Sequence, residues 1–251
     1  MFKRNKKKNE SLHITDPAKL LKGNSSFAIK EAYNAIRTNL MFTQHGDKCP
    51  IFVITSPMAN NGKTINSANL AISFAQMGKK TLIIDSDMRN PSLHKLFGLS
   101  SKNGLSEILA GLTDNISVSK TDIENLSVLT AGKIPPNPAE LLASERMDKL
   151  LDFVREHYDC VFIDTPPVNL VTDATVFAQK TTGYILIIKT DTTKLPELKV
   201  TVNTLETLNS SILGFIINDI NSNKKRYYSY YTKYSKYYAY NYKYSYSSND
   251  R

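Results

Sequence analysis

No apolar run in the chain approaches the roughly 18 residues that would span a bilayer. The N-terminal cluster of Lys and Arg is followed by no apolar segment of the kind a secretory signal carries. A soluble chain that is not secreted is the expectation. Cysteine is scarce as well. Cys49 and Cys160 lie far apart, match no metal-binding spacing, and Cys160 falls inside an apolar run, which points to buried free thiols in a reducing cytoplasm. Leu, Ile, Val and Phe are all missing after Ile220. Residues 224–251 therefore have nothing from which to build a core and are expected to be disordered.

The net charge of +9 suggests a nucleic-acid partner until it is divided along the chain. Residues 1–10 hold five basic side chains against Glu10, and residues 224–251 hold seven against Asp250, so the stretch between is near neutral. The charge belongs to two tails. A length of 251 residues suits one large α/β domain. The expected organisation is a basic and polar leader over 1–25, a folded domain over 26–223 and the tail over 224–251.

Ile29, Tyr33, Ile36 and Leu40 recur at the spacing of one helical stripe, which predicts a first helix. Short apolar runs then alternate with helical patterns: Ile51 to Thr55, Thr81 to Asp85, Ser127 to Thr130, Cys160 to Asp164, Tyr184 to Ile188 and Leu213 to Asn218. Between the first two, Ala68, Ala71, Ile72 and Ala75 form a stripe closed by Gly78, a residue suited to a left-handed cap. Strands that are apolar throughout imply a mostly parallel sheet covered by helices on both faces, with ligands beyond the carboxyl ends of the strands.

The first such run leads into Thr55-Ser56-Pro57-Met58-Ala59-Asn60-Asn61-Gly62-Lys63-Thr64 and then into a helical pattern. In a P-loop, successive backbone N–H groups and a helix N-terminus cradle phosphates, the Lys reaches the β and γ oxygens, and the Thr hydroxyl serves magnesium. ATP and Mg2+ are the expected ligands, with Ala59, Asn60, Asn61, Gly62, Lys63, Thr64 and Ile65 lining the nucleotide. The strict pattern asks for Gly where Pro57 stands. Asn60 and Asn61 stand where such loops often carry further glycines, and Asn tolerates positive φ better than most residues. The second apolar run ends in Asp85-Ser86-Asp87 and the fourth in Asp164-Thr165-Pro166-Pro167, which brings three carboxylates to the edge that holds the loop. Oxygen ligands of this kind are what magnesium needs. Arg89 has two readings, a phosphate ligand or a loop cap, and the run Pro135-Pro136-Asn137-Pro138 reads as the start of a helix.

The sequence resembles the bacterial tyrosine kinases of the CpsD/CapB type, which work in capsule and exopolysaccharide assembly. The resemblance rests on Leu82-Ile83-Ile84-Asp85-Ser86-Asp87-Met88-Arg89-Asn90-Pro91, on the stretch from Thr130 to Leu142, on Asp164-Thr165-Pro166-Pro167, and on the tyrosine tail. It implies a P-loop fold of the deviant-Walker, MinD/ParA-like kind. It also implies that Lys63 stabilises the transferring phosphoryl group, that Thr64, Asp87 and Asp164 hold magnesium, and that Asp85 is the base toward a tyrosine hydroxyl. Asn218 matches the adenine-contacting asparagine of related ATPases, with a strand-end turn residue as the alternative. The implied partners are the cytoplasmic segment of a membrane-embedded activator, further copies of the chain as a homo-oligomer or ring, and a tyrosine phosphatase, with no specific nucleic acid. The kinase is then cytoplasmic and recruited to the inner face of the membrane.

Two departures stand out. Ala59 and Asn60 occupy positions where the family usually has Pro and Gly, and its ExxRxxR inter-subunit motif reads Glu31, Asn34, Arg37 here. The tail carries eleven of the chain's fourteen tyrosines: Tyr227, Tyr228, Tyr230, Tyr231, Tyr234, Tyr237, Tyr238, Tyr240, Tyr242, Tyr244 and Tyr246. It reads as a phosphoacceptor array, an inert spacer or a stacking surface for single-stranded nucleic acid, and a kinase in the same chain favours the first. The rival functions are a ParA/MinD positioning ATPase, although the signature Lys of its loop would fall at Met58, and a polyanion-binding module that uses the Tyr/Lys tail.

Overall fold

The computed structural model describes residues 16–43, 46 and 48–218. These lie in the first of the chain's two units, Met1–Asn218. Most of the basic leader and the whole tyrosine-rich segment 224–251 fall outside the described residues.

A seven-stranded sheet is built from β1 (Ile51–Thr55), β2 (Thr81–Asp85), β3 (Ser119–Lys120), β4 (Leu126–Leu129), β5 (Cys160–Asp164), β6 (Gly183–Lys189) and β7 (Ile212–Asn218). Their order is β3-β4-β2-β5-β1-β6-β7. Every neighbouring pair is parallel except β3 with β4. The five-residue strands β1, β2 and β5 are buried along their whole length. Side chains alternate across a strand, so Ile51 and Val53 enter one core cluster while Phe52 and Ile54 enter the other.

The first cluster packs under α4 (Leu105–Leu109), α5 (Pro138–Leu142), α6 (Glu145–His157) and α7 (Leu195–Thr207). The second packs under α1 (Phe27–Phe42), α2 (Lys63–Ala75) and α3 (Leu93–Phe97). At its centre Phe52, Phe74 and Phe162 meet with ring centroids 5.2 to 6.1 Å apart in tilted and edge-on pairs, geometries that the ring quadrupoles favour. Among the described residues no helix is long and apolar enough to cross a membrane. Cys49 and Cys160 are both buried, and burial pushes the Cys160 thiol up to about 12.

Several boundaries differ from those the sequence predicts. The predicted Ser127 to Thr130 run is realised as Leu126–Leu129. Thr130 leaves the strand because its carbonyl accepts from Leu105 N at 2.8 Å, starting α4. In α1 only Leu40 of the predicted stripe is buried; Tyr33 and Ile36 pack partly against the core, and Ile29 is 49% exposed at the helix start. The two-residue β3 was not expected: it is polar and exists through its antiparallel pairing with β4. The proline run does set up a helix, with Pro138 in the first turn of α5, where a missing N–H costs nothing.

Candidate active site

The loop between β1 and α2 lies at the carboxyl edge of the sheet, as expected from the order of its residues. Asn60 takes φ +63° and Gly62 φ +90°. The asparagine thus does the conformational work of a glycine, and Ala59 beside it needs no special backbone. A Cβ at Gly62 would also lie 2.2 Å from Asn218 Nδ2, so a side chain there would have to displace that amide. Asn61 is buried; its Nδ2 donates to Thr193 Oγ1 at 2.9 Å and to Ile187 O at 3.3 Å, which ties the loop to β6. Its carbonyl accepts from Asn218 Nδ2 at 2.9 Å. Asn66 Nδ2 donates to Gly62 O at 2.9 Å. Side-chain amides from α2 and β7 therefore hold the loop carbonyls back, which favours N–H groups facing a phosphate. Asn218 is more than a turn residue, since it braces the loop directly. Ile65 points its side chain at the second core cluster.

The carboxylates meet the loop from neighbouring strands. Asp85 and Asp164 are in register across β2 and β5, and Ile54 pairs with Asp164 across β1 and β5. Asp164 Oδ2 accepts from Thr64 Oγ1 at 2.7 Å and Oδ1 from Ser67 Oγ at 3.0 Å. Thr64 Oγ1 also lies 3.1 Å from Ser92 Oγ. Burial raises the Asp164 carboxyl to about 6, against the pull of Lys63 and the two hydroxyls. Asp85 is fully buried: Oδ2 accepts from Ser92 N at 3.0 Å and Leu93 N at 2.9 Å, while Oδ1 has no hydrogen-bond partner among the described residues. Desolvation, with Asp164 adding repulsion, raises its carboxyl to about 8. Asp87 is half-buried, also raised by burial, and accepts from Asn90 N at 3.0 Å.

Lys63 is 8% exposed. Burial lowers its pKa while Asp164 and Asp87 push it up, so one ammonium faces two carboxylates, and Asp85 adds to the crowding through its repulsion with Asp164. Two buried acids with raised affinity for protons, one carrying an orphan oxygen, form a site short of positive charge. A hydroxyl and a carboxylate 2.7 Å apart beside a second carboxylate are an all-oxygen donor set that fits magnesium. Among the described residues no three His, Cys, Asp or Glu gather as a metal-binding cluster. An ion sharing its shell with phosphates and waters needs none.

Ser67, Ser92, Asn66 and Thr193 touch these groups and were not singled out in the sequence. Ser67 had a signal: it lies three residues after Thr64 and so on the same helix face. The other three act across the fold, where no spacing reports them. Arg89 resolves to the loop-holding reading, with Nε and Nη2 donating to the buried Asp173 at 2.9 Å each. Of the motif remnant on α1, Arg37 donates to Ser73 O at 2.7 Å and Ser73 Oγ at 2.9 Å, and Glu31 accepts from Asn34 Nδ2 at 2.9 Å. Arg37 thus joins two helices of one chain.

Residues 53–214 match the family described as "AAA domain". The chain is 38% identical over 202 residues to the tyrosine-protein kinase YwqD of Bacillus subtilis, covering 80% of this chain and 85% of the relative. It is 37% identical over 199 residues to the tyrosine-protein kinase CpsD of Streptococcus pneumoniae, covering 78% and 87%. Among solved structures, the chimerical protein CapA2B2 superposes with a TM-score of 0.76 at 38% identity over 81% of this chain and 90% of that one. The septum site-determining protein MinD of Pyrococcus horikoshii, solved with Mg-ADP, follows at TM-score 0.57 and 26% identity, over 67% of this chain and 70% of that one.

Proposed function

Because this chain belongs to the bacterial tyrosine-protein kinases, we propose that it transfers the γ-phosphoryl group of MgATP to its own C-terminal tyrosines, in trans, and thereby regulates capsular or extracellular polysaccharide synthesis and export. The observation that carries this reading is the Thr64–Asp164 contact of 2.7 Å, formed beside Lys63, Asp85 and Asp87 in a chain whose tail holds eleven tyrosines.

Phosphoryl transfer needs positioning and neutralisation of charge more than covalent help from the protein. The loop N–H groups from Ala59 to Ile65 and the start of α2 receive the phosphates, and Asn218 stands beside them for the adenine side. Lys63 places its ammonium against the transferring group. Thr64, Asp87 and Asp164 are the residues to hold magnesium, which when bound neutralises charge on the phosphate oxygens. Asp85 is the candidate base. Its Oδ1 has no hydrogen-bond partner among the described residues, and its carboxyl, raised to about 8, has the affinity near neutrality that suits a proton acceptor.

The remaining roles extend from the family. The cytoplasmic segment of a membrane-embedded activator docks the kinase at the inner face of the membrane, copies of the chain assemble so that one tail reaches another's site, and a cognate phosphatase reverses the modification. One experiment tests the core: incubation with MgATP and phosphate mapping by mass spectrometry, beside Lys63→Met and Asp85→Asn. Phosphate on Tyr227 to Tyr246 in wild type, with none in Lys63→Met, is the expected result. Wild type that stays unmodified even with an activator segment overturns the reading, and full activity in Asp85→Asn removes Asp85 as the base.

A further inference from the structure

Arg89 sits on the turn that leaves β2, two residues past Asp87, and its side chain is 44% exposed. It reaches Asp173, which is 0% exposed and opens the 3-10 turn Asp173–Phe177 on the segment that leaves β5 beyond Asp164. Nε and Nη2 each donate to one carboxylate oxygen at 2.9 Å. Such a fork fixes angle as well as distance, which an ammonium does not. The surface pairs Arg146–Asp114, Arg155–Asp152 and Lys180–Asp148 differ, because each of their carboxylates is exposed and such pairs constrain little. A buried carboxylate stripped of its partner is a large penalty, so the Arg89 fork is held in place.

The two segments begin side by side. Asp85 and Asp164 are in register, and Ser86 N donates to Asp164 O at 2.8 Å. Beyond that point they part, one toward α3 and the other toward the 3-10 turn. Met88, fully buried, pins the first turn to the core. Its neighbour Arg89 ties the same turn sideways to the second segment, beyond the position of Asp87.

We propose that Arg89 is a positioning residue: its fork on Asp173 fixes the Asp87 turn against the Asp164 segment and so sets the spacing of the two carboxylates that hold magnesium. The inference rests on the MgATP reading of the site. It also gives Arg89 a role other than phosphate ligand, since its donors at Nε and Nη2 and its charge are committed to Asp173.

The test is ADP affinity, measured by calorimetry in magnesium and in EDTA, for wild type, Arg89→Ala, Arg89→Lys and Asp173→Asn. Groups that orient metal ligands from behind typically change metal affinity by roughly 10- to 100-fold. The gain in ADP affinity on adding magnesium should therefore shrink about that much in Arg89→Ala and in Asp173→Asn alike, with affinity in EDTA unchanged. Arg89→Lys keeps the charge over Asp173 without the fork, so it folds and still loses most of the gain. Guanidinium at a sub-denaturing concentration should restore part of it to Arg89→Ala. A magnesium gain left intact in the Arg89 variants overturns the inference. So does an Arg89→Ala affinity that falls equally in EDTA, since that is the behaviour of a phosphate ligand. If wild type itself gains nothing from magnesium, the MgATP reading fails and this inference with it.

Discussion

Asp85 shows what a single residue can and cannot disclose before folding. Lys63, Thr64, Asp85, Asp87 and Asp164 were legible because the P-loop order and the strand ends constrain them locally, and the structure brings all five to one rim. That Asp85 would be sealed from solvent, with Ser92 N and Leu93 N on one oxygen and no described residue bonded to the other, was not legible. It depends on a turn that folds back over the strand end. The sealing has a measurable consequence. Its carboxyl is raised to about 8 in the folded chain against about 3.9 when unfolded. The native state therefore holds a proton that the unfolded state releases between those values, and stability falls as pH rises through that window. Asp85→Asn keeps an acceptor for the two N–H groups and has no proton to lose. In EDTA the variant should be more stable than wild type at pH 8 by up to a few kcal/mol, at about 1.36 kcal/mol per unit of pKa difference, and the gap should close toward pH 4. Denaturant melts across that range check it. A gap independent of pH would show that Asp85 does not carry the proton.

At the level of elements, legibility followed the strength of the local pattern. β1, β2 and β5 were readable to the residue because both faces are covered, so each is a short unbroken apolar run bounded by polar residues. The five-residue helices α3, α4 and α5 were not fully readable, since one turn and a half is too short for a period to show. The α1 stripe overreached at Ile29 for a related reason: periodicity shows which side faces the core but not where the core ends. These differences predict unequal sensitivities. Phe162 is fully buried and touches two other rings, so Phe162→Ala should cost about 3–5 kcal/mol in denaturant unfolding. Ile29, half exposed, lies in the same predicted pattern as Leu40, yet Ile29→Ala should fall within about 0.5 kcal/mol of wild type. A cost at Ile29 close to that at Phe162 would mean that the start of α1 is covered in solution, as assembly through that helix requires.

For the whole molecule the decisive feature is the division of charge and composition along the chain. The near-neutral body contains the candidate nucleotide site, and the basic segment 224–251 contains the tyrosines proposed as acceptors. Sequence alone made that division visible, because a stretch without large aliphatic residues announces itself by composition. Whether a tail is modified by its own site or by a neighbour's is a question of connectivity that composition does not encode. Two variants separate the cases. On the proposed reading, Lys63→Met in the full chain keeps the tail tyrosines and loses transfer, while a chain truncated after Asn223 keeps the site and loses those tyrosines. Each alone should remain free of tail phosphate under MgATP. Mixed, they should yield phosphotyrosine on the Lys63→Met chain, at a rate that rises with the concentration of the truncated one. Transfer within a single chain predicts no signal in the mixture, so phosphate mapped to Tyr227–Tyr246 of Lys63→Met establishes trans action. Each phosphate adds about −1.5 to −2 charge near pH 7. Modifying four of the eleven tyrosines therefore suffices to cancel the tail's excess of six positive charges. If attraction between that excess and a neighbour's acidic rim holds the tail in place, the rate in the mixture should fall as modification passes that number, and fall earlier at high salt, where the attraction is already screened.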